Sequence, residues 1–285
     1  MQPGSKRPQI WLWPNLVGLD APIVAVCWQW FLADVFSVDL PDIYHLILAL
    51  SVWCIYLADR LYDALNARDF AGGTHRLQFT KTYFRPLICI VSAAAAWNLF
   101  LIWQNASVDL IRNGLLTGGL VIIYYGSRIF GKKFLSAIFP REILCGFLFT
   151  AGTSLAVYTY GTALDPFRFI FAVTAFGILC SLNCILISIW EQNEDLAVRD
   201  LSSANRFAEL PKIVPRISLV LAIFLTLCIP LGPPRFLLAV SLAAVFLTCL
   251  AFYEKLLSRE AIRVLGDTVL LTPIIVAAVA KFTGG

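Results

Sequence analysis

IYHLILALSVWCIYLADRLYDAL, residues 43–65, runs almost without charge until Asp59 and then sets a second carboxylate, Asp63, four residues on. A stretch of this length and composition suits a membrane-spanning helix, which needs about 20 apolar residues. In a helix the four-residue spacing puts both carboxylates on one face, one turn apart, where like charges repel unless a cation joins them. The run 168–190 ends the same way, in Glu191 and then Asp195. The two acidic pairs lie about half the chain apart, so they can face each other across a helical bundle with a divalent metal between them. Magnesium fits best, because it is commonly bound by one or two carboxylates plus the oxygens of a substrate phosphate.

Composition extends this reading to the whole chain. Hydrophobic residues make up 59% and charged residues 14%, and the mean hydropathy is +0.79. A soluble domain carries roughly a quarter charged residues. The apolar runs do not alternate as barrel strands would, so helices are the expected spanning elements. We expect an all-α integral membrane protein of nine transmembrane helices in one domain over 1–285, with spans at 20–37, 43–65, 83–104, 108–126, 142–160, 168–190, 214–231, 236–254 and 264–282. Residues 10–19 are apolar but interrupted by Pro14, and are expected at the interface or as an extension of the first helix. No small-residue cleavage site follows the first apolar run, so that helix is expected to stay.

Basic residues set the expected orientation. With the amino terminus cytoplasmic, only Arg112, Arg168, Arg235 and Lys281 of the 22 Lys and Arg fall on the far side. The other 18 lie on the cytoplasmic side, a strong positive-inside bias. Both acidic pairs share that face with the basic loops. Most of these cations are expected to determine topology, and those nearest the carboxylates to bind a polyanion such as a diphosphate.

Other chemistries find little footing. The eight cysteines fall in expected spans and read as small hydrophobes; Cys180 and Cys184 share a helix face without a nearby histidine. His45 and His75 are the two histidines and are expected on opposite membrane faces. Gly131, Lys132 and Lys133 lack the rest of a phosphate-binding loop. Asp20 ahead of Pro22 reads first as a helix N-cap. Asn183 lies two helical turns before Glu191 on the same face and either orients ligands or bonds a neighbouring helix. Asp34 and Asp267 are intramembrane carboxylates for which the sequence names no partner.

Taken together, these motifs resemble the UbiA superfamily of intramembrane prenyltransferases. The segment from Asp59 to Arg68 is similar to the family's first aspartate-rich motif, with Tyr56 where that motif has an Asp. Glu191 to Asp195 resembles the second, with Glu in its first position. Tyr124 and Arg128 are similar to the family's YxxxK element, followed by Lys132 and Lys133 and by Pro140, Arg141 and Glu142. The resemblance implies a divergent member in which Asp59, Asp63, Glu191 and Asp195 bind magnesium and Arg68, Arg128, Lys132 and Lys133 bind the diphosphate. Tyr56 and Tyr124 would face the developing carbocation, and Asn183 would support the ligands. The implied reaction transfers an isoprenoid from a prenyl diphosphate to an apolar or aromatic acceptor. The alternatives are a cyclase or hydrolase of the same fold and a non-catalytic lipid-binding or transport relative. The expected setting is a bacterial inner membrane, with the active-site face cytoplasmic and no nucleic-acid partner.

Overall fold

The computed structural model describes residues 9–66, 75–130, 141–191 and 209–283, with the backbone alone described over 124–130. Among these residues every regular element is helical, as lipid requires of a chain that must satisfy its backbone polar groups internally. In chain order the helices are α1 (Trp13–Leu16), α2 (Asp20–Val35), α3 (Asp42–Asn66), α4 (His75–Thr82), α5 (Phe84–Asn105), α6 (Val108–Phe130), α7 (Arg141–Tyr160), α8 (Pro166–Trp190), α9 (Leu210–Leu227), α10 (Pro234–Phe252), α11 (Arg259–Thr268) and α12 (Thr272–Thr283).

Among the described residues seven helices are long and apolar enough to cross a membrane: α3, α5, α7, α8, α9, α10, and α11 with α12 taken as one span. This is a multi-pass membrane protein. The count departs from nine at two places. Helix α2 has only 16 residues and qualifies, as an eighth span, only together with residues 10–16, from which it is bent by 77°. Helix α6 is not among the seven, and its side chains are described only as far as Ile123.

The bend before α2 has a local cause. Gly18 has φ +75°, in the left-handed region, and a Cβ there would lie 3.0 Å from Leu57 Cδ2. Both the conformation and the contact call for glycine. The last span, counted as one, passes through a 3₁₀ turn at Val269–Leu271 between α11 and α12. Trp28 Nε1 donates to the Leu270 carbonyl at 2.7 Å, giving a partner to an oxygen in that turn.

Helix α8 lies at the centre. Asp165 caps it by accepting from the amides of Phe167 and Arg168, and Pro166 occupies its first turn. It packs closely on α7, where a Cβ at Gly146 would lie 2.4 Å from the Ser181 amide nitrogen. Trp28 stacks on Phe176 at 4.2 Å and meets Phe236 edge-on at 5.2 Å, tying α2, α8 and α10 together. Leu99, Trp103, Leu120 and Leu227 point outward and exposed, as a lipid-facing surface would have them.

Candidate functional site

Two layers of polar side chains lie near one end of the bundle. The outer layer gathers around Glu191, which caps the C-terminal end of α8. Its Oε1 lies 2.7 Å from Arg263 Nη1 on α11, and its Oε2 lies 3.2 Å from Arg76 Nη2 on α4. One carboxylate therefore holds two guanidinium groups drawn from elements far apart in sequence. His75 faces Glu260 at 3.6 Å, and Trp190 Nε1 donates to Glu254 at 3.0 Å. A cavity of about 20 Å³, large enough for a water, is lined by Arg76, Arg259, Arg263, His75, Glu191 and Glu260, with Asn15 and Leu16 also in its wall.

The inner layer sits about two helical turns deeper, since Asn183 precedes Glu191 by eight residues at about 1.5 Å each. Asp20 is at its centre. Leu19 is the capping residue of α2 and no side-chain cap bond forms there, so the expected N-cap role of Asp20 is not the one it takes. Its carboxylate turns into the bundle and accepts from Asn15 Nδ2 and, at 3.2 Å, from the Tyr56 hydroxyl. Arg60 Nη2 stands 3.8 Å from it. Arg60 is only 5% exposed, and its Nη1 donates to the carbonyls of Asn15 and Leu16 at 2.7 and 3.2 Å, closing the open C-terminal end of α1. The same guanidinium lies over the Tyr56 ring, 4.3 Å from its centroid. Across the layer Asn183 Nδ2 donates to Asp267 Oδ1 at 3.5 Å, and Asp267 is in hydrogen-bonding contact with Asp20.

The residues singled out in the sequence are distributed as follows. Asp59 and Asp63 lie half-buried on α3, and Arg60 between them turns the other way, into the core. Tyr56 has one ring face against Arg60 and its hydroxyl on Asp20. Asn183 reaches Asp267. Glu191 is held by two arginines. Arg68, Lys132, Lys133 and Asp195 lie outside the described residues, as do the side chains of Tyr124 and Arg128. Among the described residues no three His, Cys, Asp or Glu side chains come together in a group that could hold a metal.

Sequence reasoning missed the arginines. Arg60, Arg76 and Arg263 read as topology determinants, yet each is turned inward onto an acidic or carbonyl partner. The usable signal is Arg60, a cation inside a DxxxD repeat, where a purely solvated face has no need of it. Asp34 and Asp267, without a nameable partner in sequence, find Arg235 at 2.9 Å and Asn183 respectively. No protein-family model matches the chain, and no curated protein or solved structure matches it.

Proposed function

We propose that the chain is an intramembrane prenyltransferase of UbiA type. On this reading it moves an isoprenoid from a prenyl diphosphate to an apolar or aromatic acceptor at the cytoplasmic face of a bacterial inner membrane. The observation that carries the reading is the outer layer: Arg76, Arg259 and Arg263 border one small cavity at the end of a bundle whose outward faces are apolar. An amphiphile with a polyanionic head and a hydrocarbon tail matches that division of polarity. Guanidinium groups suit the head, since their planar forks match phosphate oxygens.

Binding would reorganise the site. The cavity holds about one water's worth of space, so a diphosphate must take over Arg76 and Arg263 from Glu191. Glu191 keeps both arginines placed where the incoming anion would meet them. The carboxylates of Asp59 and Asp63, one turn apart and half-buried, have the oxygen donors magnesium requires. Glu191 can join them once it releases an arginine; Asp195, the fourth ligand the resemblance implies, lies outside the described residues. The metal would supply Lewis-acid assistance to departure of the diphosphate. The chain's own contributions are separate: Arg76 and Arg263 orient the phosphates, Tyr56 offers a π-face beside the reacting carbon, and the apolar helices exclude water.

The test is a single assay on purified protein with prenyl diphosphates of several lengths, pooled acceptors and Mg²⁺, scored by pyrophosphate and by product mass. Transfer product with pyrophosphate supports the reading, with turnover reduced in Asp63→Asn and binding weakened in Arg263→Gln. Pyrophosphate without transfer product supports a cyclase or hydrolase instead. A second reading, transport, is favoured by one feature, the bent first pair and the 3₁₀ turn within the last span, because transporters often bind cargo at discontinuous helices. Binding without any pyrophosphate release would favour it.

A further inference from the structure

Asp20 and Asp267 meet in the inner layer from two different helices. Asp20 opens α2 just after the 77° bend, and Asp267 precedes the 3₁₀ turn that ends α11. Two ionised carboxylates in contact repel strongly in a medium of low dielectric, so such a pair holds a proton or a cation. Among the described residues the charged and titratable groups around it are few. From α3 come Arg60, at 3.8 Å from Asp20, and Tyr56, whose hydroxyl bonds the same oxygen. From α8 comes the Cys184 thiol, with Glu142 and Cys145 of α7 behind it. Arg263, one turn before Asp267 on α11, and Arg76 from α4 are both engaged by Glu191. A single close guanidinium against two carboxylates leaves one positive charge wanting.

A second observation is independent of this count. Asn183 is 4% exposed, and among the described residues its Oδ1 has no hydrogen-bond partner although its Nδ2 bonds Asp267. A buried oxygen beside a carboxyl and without a donor asks for a proton on that carboxyl. Access exists as well. Asn15 lines the outer cavity and donates to Asp20, so the pair is one hydrogen bond from the proposed headgroup pocket.

We propose that Asp20 and Asp267 act as a proton-sharing pair that takes up the proton lost by the acceptor, an inference that rests on the transfer reading above. The balance is complete. The allylic carbon–oxygen bond breaks and its electron pair leaves with the diphosphate. The acceptor's nucleophilic atom bonds the allylic carbon, and the proton it sheds passes to the ionised member of the pair. Tyr56 and Asn15 hold that member's oxygen in place, and Arg60 offsets the charge that remains before transfer.

The experiment combines two readouts on purified protein in lipid nanodiscs. Infrared titration of wild type should show a protonated carboxyl at neutral pH, shifted in D₂O and lost in both Asp20→Asn and Asp267→Asn. The signal should not depend on replacing sodium by choline; one that appears only on sodium removal would mean a cation-filled pair and overturn the proposal. In the pyrophosphate assay, Asp20→Asn should bind prenyl diphosphate as wild type does, yet turn over about 10²-fold more slowly or worse. Asp20→Glu should restore part of the rate and shift the pH profile, which a merely structural carboxyl would not do. Unchanged turnover in Asp20→Asn would remove the pair from the reaction while leaving the transfer reading intact. A clear infrared signal with no pyrophosphate from wild type under any condition would overturn both the transfer reading and the role assigned to the pair, leaving only the proton site.

Discussion

Glu191 shows how much a single side chain can organise. Its side chain is 14% exposed and Arg263's is 7%, so the pair is largely desolvated and its partners cannot fall back on water. Deleting one member of such a pair costs roughly 3–5 kcal/mol, because it strands the opposite charge. Glu191→Ala is therefore expected to lower the thermal stability of the purified protein clearly. Inorganic pyrophosphate should recover part of the loss, since it can occupy the two vacated guanidinium groups, and that recovery should disappear in Glu191→Ala with Arg263→Gln. Stability unchanged by Glu191→Ala would mean that the arginine clamp contributes nothing. Arg60 repeats the lesson one layer deeper. One guanidinium closes α1, faces Asp20 and covers Tyr56, so it cannot be a solvated topology signal alone.

At the scale of elements, the contact of α7 with α8 holds the central helix in place. Gly146 permits it, since any Cβ would meet backbone and side chain of Ser181 at 2.4 to 2.7 Å. Backbone cannot yield as a flexible side chain does. Gly146→Ala should destabilise by about 1–3 kcal/mol through overpacking, read as a lower unfolding temperature. Gly152→Ala, on the same helix with open space around it, should be neutral or mildly stabilising because alanine is the better helix former. Equal effects of the two substitutions would remove the close-packing account. The first and last spans carry the complementary message. Asp20 follows the bend and Asp267 precedes the 3₁₀ turn, and the two carboxyls meet between them.

At the scale of the molecule, the distribution of charge predicts which way the bundle sits. With 18 of the 22 basic residues assigned to one side, the segments containing Gly73 and Ser203, which lie outside the described residues, are expected in the cytoplasm. Single cysteines at those positions in a cysteine-free background should resist an impermeant thiol reagent added to intact cells and react after permeabilisation. Labelling of either in intact cells would reverse the orientation, and would move the arginine cavity to the outside with it.

The sequence by itself determined the class. Long apolar runs with rare charge leave helices in a membrane as the outcome, because only internally bonded backbone tolerates lipid. It also marked Asp59, Asp63, Glu191, Asn183 and Tyr56 as places where polarity interrupts those runs. It did not reveal the bend at Gly18, since a glycine is permissive of many conformations until a neighbour such as Leu57 selects one. Nor did it join Glu191 to Arg76 and Arg263, or Asp20 to Asp267, residues separated by 115, 72 and 247 positions in the chain. Pairings of that range depend on which helix faces meet, and helix packing decides that through contacts such as Gly146 on Ser181 and Trp28 on Phe176 that no local pattern encodes.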